Sequence, residues 1–411
     1  VVDGLFVSNF VGKNAFAAVN LIMPFLMGIS ALGFMIGTGG SAIVAKTLGE
    51  GKTEKANEYF SMLVYITAIG GIIIAILSMF LVKPVAILFG ANGALLDNCI
   101  LYGRILCISL PAFMLQNVFQ SFFVTAEKPH LGLRVIVIAG VTNMVLDFLF
   151  VAVLHFGLPG AGFATVCGEF IGGLFPLFYF GRKNSSLLKL GKTHFHGRIL
   201  LKTCTNGSSE LMTNLSSSIV NALYNMQLMK FAGEDGVAAY GTIMYVNFIF
   251  VSIFLGYAIG SAPIVSYHYG AGNQDELKNL FLKSIRLIGT WAVSLFVIAQ
   301  LIATPLATLF VGYDHGLFEL TRNGFRLYSF AFLINGFNIY GSAFFTALNN
   351  GLLSALISFL RTLVFQMAIV LLLPHILGIN GVWCSVAIAE LLTLCVTGTF
   401  IIRKRSTYHY F

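Results

Sequence analysis

VIVIAGVTNMVLDFLFVAVL, residues 135–154, decides the class of this protein. Its apolar residues run on without the alternation of a barrel strand, and only Thr142, Asn143 and Asp147 interrupt them with polar side chains. A helix rising 1.5 Å per residue needs about 20 such residues to cross the ~30 Å of bilayer hydrocarbon. The texture recurs over Ile66–Val82, Leu287–Ile302 and Leu363–Leu373 with its flanks. Across the chain 57% of residues are hydrophobic and only 10% charged, with a mean hydropathy of +0.88. A soluble domain carries roughly 25% charged residues, so this chain cannot clothe a water-facing surface. An all-α integral membrane fold is expected. The 43 glycines suit helices that approach closely in lipid.

Shifting the sequence by 221 residues superposes its two halves without a gap. Phe10 and Gly12 fall on Phe231 and Gly233, Gly49 and Gly51 on Gly270 and Gly272, and Pro84 on Pro305. Thr125-Ala126 falls on Thr346-Ala347, Gly157 on Gly378, and Glu169 on Glu390. A constant offset over a whole half marks an internal duplication. Spans are expected over 1–11, 15–46, 55–82, 95–124, 135–154 and 160–181, and again over 205–231, 236–267, 276–303, 316–345, 356–374 and 381–402. Val1–Val11 is too short to cross and carries no signal-peptide pattern, so it reads as the tail of a first helix that begins before Val1. The expected plan is twelve transmembrane helices in two parallel-repeat six-helix bundles, 1–182 and 205–411. A basic, amphipathic cytoplasmic connector, 183–204, is expected between them.

The net charge of +8 follows from topology rather than from a nucleic-acid partner. Assigning Lys46–Lys55, Lys128–Arg134, Arg182–Lys202, Lys278–Arg286, Arg361 and Arg403–Arg405 to one side places 18 of the 24 Lys and Arg there. The positive-inside rule makes that side cytoplasmic, with both termini of the full-length protein on it and the inner (plasma) membrane as the expected location. The six cysteines are scattered without CxxC or metal spacing and read as packing residues. No phosphate-binding loop, zinc motif or nucleophile elbow is present, so neither an enzyme nor an ATP-driven pump is expected, and no cofactor.

An ionisable group in lipid costs at least ~2.5–3.5 kcal/mol, so each one within a span calls for a reason. Asp3, Asp147, Glu169, Glu210 and Glu390 fall in the expected spans. Asp3 and Asp147 both lie about 12 Å below the outer end of their helices at 1.5 Å per residue. Asn143 is one turn from Asp147, and Thr165 enters the sixth span from the same side. Two carboxylates, a carboxamide and a hydroxyl at one depth offer an oxygen-lined pocket for Na⁺, or a coupled carboxylate pair for H⁺. The duplication supplies a control: adding 221 turns Asp3, Asn143, Asp147 and Thr165 into Tyr224, Val364, Ala368 and Val386. Chemistry lost from one copy of a shared scaffold points to function. Glu169 survives as Glu390, as a scaffold residue would, with substrate contact as its alternative role. Glu210, in Ser208-Ser209-Glu210, suits a helix start, and a substrate cation is its alternative partner.

These elements resemble the multidrug and toxic compound extrusion (MATE) family along essentially the whole chain. The resemblance rests on Val2-Asp3-Gly4, Ala17-Ala18-Val19, Gly37–Ala45 before Gly49-Glu50-Gly51, Asn143-x-x-x-Asp147 and Gly160-Ala161-Gly162-Phe163-Ala164-Thr165. It implies a rocker-switch antiporter, a monomer that exports small organic cations against Na⁺ or H⁺ influx. It places the coupling ion at Asp3, Asn143, Asp147 and Thr165 in the N-terminal bundle, and makes Glu210 a candidate acid of span seven. A flippase for a lipid-linked precursor, on a related two-bundle fold, would need a basic cavity lining. A membrane-embedded enzyme or scaffold would need a reactive constellation or a recruiting domain. The expected spans supply neither.

Overall fold

The computed structural model describes residues 6–312 and 314–410, the side chains of Ser8 and Lys13 excepted. Every regular element among them is helical. Among the described residues, ten helices are long and apolar enough to cross a membrane. One of them, Gly197–Gly270, has 74 residues. Straight, it would measure about 110 Å, more than three times the hydrocarbon thickness. It reverses at Gly233, whose φ of 61° and ψ of −148° leave the helical region, and so supplies two spans. With Val7–Val11 ahead of Lys13–Gly49, the spans make two sets of six.

The duplication is legible in the backbone. Gly12 and Gly233, Gly51 and Gly272, and Gly157 and Gly378 are pairs at offset 221, and all six have positive φ. Without a Cβ, glycine enters this region at little steric cost and so reverses the chain between spans at the same place in each copy.

The chain divides into two compact units, Val1–Gly207 and Ser208–Phe411. In the first, glycines let backbones meet. A Cβ on Gly33 would lie 2.6 Å from the Met114 carbonyl oxygen, and one on Gly37 2.9 Å from that of Asn117, so Lys13–Gly49 lies tightly on Gly93–Thr125. A Cβ on Gly168 would lie 2.9 Å from the Ala139 carbonyl oxygen and 3.1 Å from the Asn143 Cβ, which seats Gly157–Gly181 against Pro129–Asp147. Thr53–Leu88 turns the opposite kind of surface outward: Ile69, Ile73, Ile76, Leu77 and Phe80 are all exposed, as a lipid-facing side requires. The second unit closes around one large apolar cluster that includes Phe254, Phe332, Phe344 and Trp383.

The connector expected over 183–204 is irregular over its first part. No helix begins until Gly197, and the preceding residues form an irregular strap tied to Thr53–Leu88. Lys189 N–H donates to Asn57 Oδ1 at 2.7 Å, Gly191 N–H to Ser61 Oγ at 3.0 Å, and the Thr193 hydroxyl to the Glu58 carbonyl at 2.7 Å. Polar groups on the neighbouring helix satisfy this backbone, which removes the drive to coil.

Two stability outcomes follow. Gly378→Val, forced to positive φ, should cost on the order of 1–3 kcal/mol and lower the unfolding midpoint of detergent-purified protein, whereas Gly398→Ala, with open space around it, should not. Gly168→Leu should cost a comparable ~1–3 kcal/mol by overpacking, and Gly140→Ala on the facing helix should be silent, both read by the same thermal scan.

Candidate functional site

The close seat at Gly168 brings two of the expected ion-site residues together. Asn143 Nδ2 donates to Thr165 Oγ1 at 3.3 Å, and the Thr165 hydroxyl donates to the Ala161 carbonyl at 3.2 Å. Both side chains are half-buried, while Asp147, one turn beyond Asn143, has no exposed surface. Asp147 ends its α-helix, and the chain runs on as a π-helical turn, Phe148–Val153, with Leu154 N–H bonded to the Leu149 carbonyl at 2.9 Å. Such turns recur at functional sites because they release and re-aim a side chain. Asp3 lies outside the described residues. The first-span segment that follows it packs nearby: the Phe6 ring lies 6.3 Å from that of Phe148, the neighbour of Asp147.

Glu169, one turn beyond Thr165, bonds to a different helix. Its Oε2 accepts from the Ser109 hydroxyl at 2.5 Å, on the Gly93–Thr125 helix, and it borders a cavity of about 20 Å³ between Met23, Leu26 and Leu110. Its repeat partner, Glu390, is treated differently. Glu390 is 3% exposed and takes Arg361 Nε at 2.9 and 3.1 Å on its two oxygens, with Asn338 Nδ2 at 2.7 Å. The position matching Arg361 in the first half is Gly140, so only the second copy is neutralised by a cation there. Glu210 is half-buried, lies in the second unit and sits in the field of the same Arg361.

Arg361 corrects the sequence reading. It was counted among cytoplasmic charges, yet it sits ten residues inside the Gly351–Leu377 span, paired across to the Ile379–Tyr408 helix. The signal was present in the sequence: an arginine inside an apolar segment with a glutamate in the next one.

A second polar cluster also escaped the offset comparison. Tyr224, at the position equivalent to Asp3, donates to Gln366 Oε1 at 2.9 Å and stacks on Tyr240 with ring centroids 5.6 Å apart. Tyr240 in turn donates to Asn221 Oδ1 at 2.9 Å. These residues, with Arg361, Glu390 and Asn335, line a cavity of about 200 Å³ inside the second unit. The duplicated position keeps a polar interior, but its polar side chains come from other registers than those of the first half. Among the described residues no group of three or more His, Cys, Asp or Glu could hold a metal ion.

The MatE family profile matches residues 1–149 and 211–372. The chain is 21% identical to the multidrug export protein MepA of Staphylococcus saprophyticus over 410 residues, 98% of this chain and 89% of that protein. It is 22% identical to a FAD transporter of Shewanella oneidensis over 318 residues, covering 75% and 69%. The solved structure of a MATE protein in complex with MaL6 superposes with a TM-score of 0.93 at 24% identity, over 99% of this chain and 92% of that one. A MOP superfamily transporter from Pyrococcus furiosus, whose structure is described by the reverse polarity of its binding pocket, gives 0.92 at 24% identity, over 99% and 91%. At that identity the structures establish a shared fold. The profile match covers well over half of the chain and reaches both halves, and the protein therefore belongs to the MatE family of MATE membrane transporters.

Proposed function

We propose that the protein is a cation-coupled antiporter that exports small organic cations. The observation that carries the reading is the Asn143–Thr165 contact beside the wholly buried Asp147. Three oxygen-bearing side chains on two helices, with a carboxylate among them, suit Na⁺ or H⁺ and neither substrate nor scaffold alone. With Asp3 from the first span, they form the coupling-ion site of the N-terminal bundle. Ion binding there stabilises one state of a rocker-switch cycle, and substrate and ion bind in exchange. The printed names of the MepA relatives, multidrug export proteins, support small-molecule export. Glu210 and Glu169 are the acids available to a cationic substrate, and the Ser109 bond of Glu169 gives it the more structural part. The chain works as a monomer in the plasma membrane, with its basic loops and both termini of the full-length protein in the cytoplasm.

The flippase alternative requires a basic cavity lining. Arg361 adds a cation within a span, but Glu390 neutralises it at 2.9 Å, which favours the antiporter.

In vesicles loaded with a cationic dye and given a Na⁺ or a H⁺ gradient separately, Asp147→Asn in the full-length protein should slow efflux by about tenfold or more while leaving the amount of inserted protein unchanged. Unchanged efflux under the driving gradient would overturn the site. The same pair of gradients identifies the coupling ion.

A further inference from the structure

We infer that a groove between the third and fourth spans holds a phospholipid whose headgroup carries a phosphate and a primary ammonium, as in phosphatidylethanolamine. The groove, about 400 Å³, opens between Thr53–Leu88 and Gly93–Thr125, at the end of these helices away from the basic segment Lys46–Lys55. Its wall is mostly apolar, with Met79, Ile105 and the exposed Leu101 and Ile108. Two charges stand in it, Asp97 and Arg104, seven residues apart and so two turns along one helix face. Both are exposed, and among the described residues neither belongs to an ion pair. Arg104 Nε donates to the Met79 carbonyl at 3.4 Å, which draws the guanidinium across to the facing helix. The 33 residues of Gly93–Thr125 measure about 50 Å, so a helix centred on ~30 Å of hydrocarbon projects by about 10 Å at each end. Asp97 then stands in the headgroup layer. The Arg104 backbone lies about 6 Å inside the hydrocarbon, and its side chain, tilted toward the helix N-terminus, carries the charge back to the boundary. A lipid-facing arginine at that depth calls for a partner.

The order of the groups selects the occupant. From the helix end inward come a carboxylate, a guanidinium and an apolar wall. An aminophospholipid presents an ammonium, a phosphate and an acyl chain in that same order. The guanidinium bonds phosphate oxygens, and the carboxylate accepts an N–H from the ammonium. A trimethylated ammonium has no N–H to give, and a headgroup with no cation sets its phosphate charge against Asp97. The duplication shows that the groove is not a demand of the shared scaffold. Met79, Asp97, Arg104, Ile105 and Ile108 match Gln300, Phe318, Phe325, Arg326 and Ser329 in the second copy. There Gln300 Nε2 donates to the Arg326 carbonyl at 3.0 Å and to Ser329 Oγ at 2.8 Å, and Phe325 has no exposed surface. The second copy is stitched across where the first is apolar and open, and the charged pair belongs to the first alone.

The test is native mass spectrometry of the full chain, delipidated in detergent and titrated with phosphatidylethanolamine, phosphatidylcholine or phosphatidylglycerol of identical acyl chains. A saturable phosphatidylethanolamine adduct is expected, with the other two lipids about tenfold weaker or worse. Asp97→Asn should erase the preference, bringing phosphatidylethanolamine to the level of phosphatidylcholine. Arg104→Gln should weaken both of these lipids by about fivefold or more, because both lose the phosphate contact. Asp97→Asn removes only an exposed charge at the helix end, so it stays informative where Arg104→Gln would fail to fold. Binding indifferent to headgroup, or a preference that survives Asp97→Asn, would overturn the inference. So would tighter phosphatidylglycerol, which would make the groove an anion site of Arg104 with Lys83, one turn beyond Met79. Lipid binding is read directly, so its failure leaves the ion-site proposal standing, and absent ion-driven efflux leaves this result intact.

Discussion

A peptide group in hydrocarbon has no water to bond, and this constraint shapes the rest of the molecule. It leaves the chain only helices, confines reversals to short turns, and gives the tightest of those turns to glycines at Gly12, Gly51 and Gly157 and their repeat partners. Helices that cannot be driven together by the hydrophobic effect are held by shape instead. Gly33, Gly37 and Gly168 lower the surface of one helix until the neighbouring backbone touches it. The Asn143–Thr165 contact is a by-product of that approach, since a larger residue at 168 would hold the two helices apart.

The same constraint governs polar side chains, and the two copies meet it differently. Glu169 is served by one hydroxyl, from Ser109, whereas Glu390 has a guanidinium and a carboxamide. Around Asp147 the first copy gathers oxygen-bearing side chains, and the matching region of the second holds stacked tyrosines and amides. Duplication preserved the places where a polar interior is tolerated and left their chemistry free to diverge.

Much of this was legible in the sequence because it is periodic. The offset of 221 locates the paired turns from sequence alone, and span lengths follow from apolar runs. Asn143 and Asp147 were readable as a unit because four residues make one helical turn. Arg361 was not, because counting basic residues by side treats each arginine as a loop charge, and its partner lies 29 residues away in the next helix. The second-half cavity escaped for a related reason: Gln366 and Tyr240 match Val145 and Val19 under the offset, so position-by-position comparison reports a loss where the fold holds a replacement. The ties of the strap before Gly197 were not legible because its hydrogen-bond partners, Asn57 and Ser61, are distant in sequence.

The Arg361–Glu390 pair has a consequence for how the chain is made. Each of the two side chains, threaded into lipid on a lone helix, would oppose its own insertion by about 2.5–3.5 kcal/mol. Their helices, Gly351–Leu377 and Ile379–Tyr408, are consecutive and joined at Gly378, so the charges can meet before either helix is released to the bilayer. Inserted together as a hairpin, these two spans would pair the charges before either met lipid, whereas a lone Gly351–Leu377 helix would hold its arginine in fat.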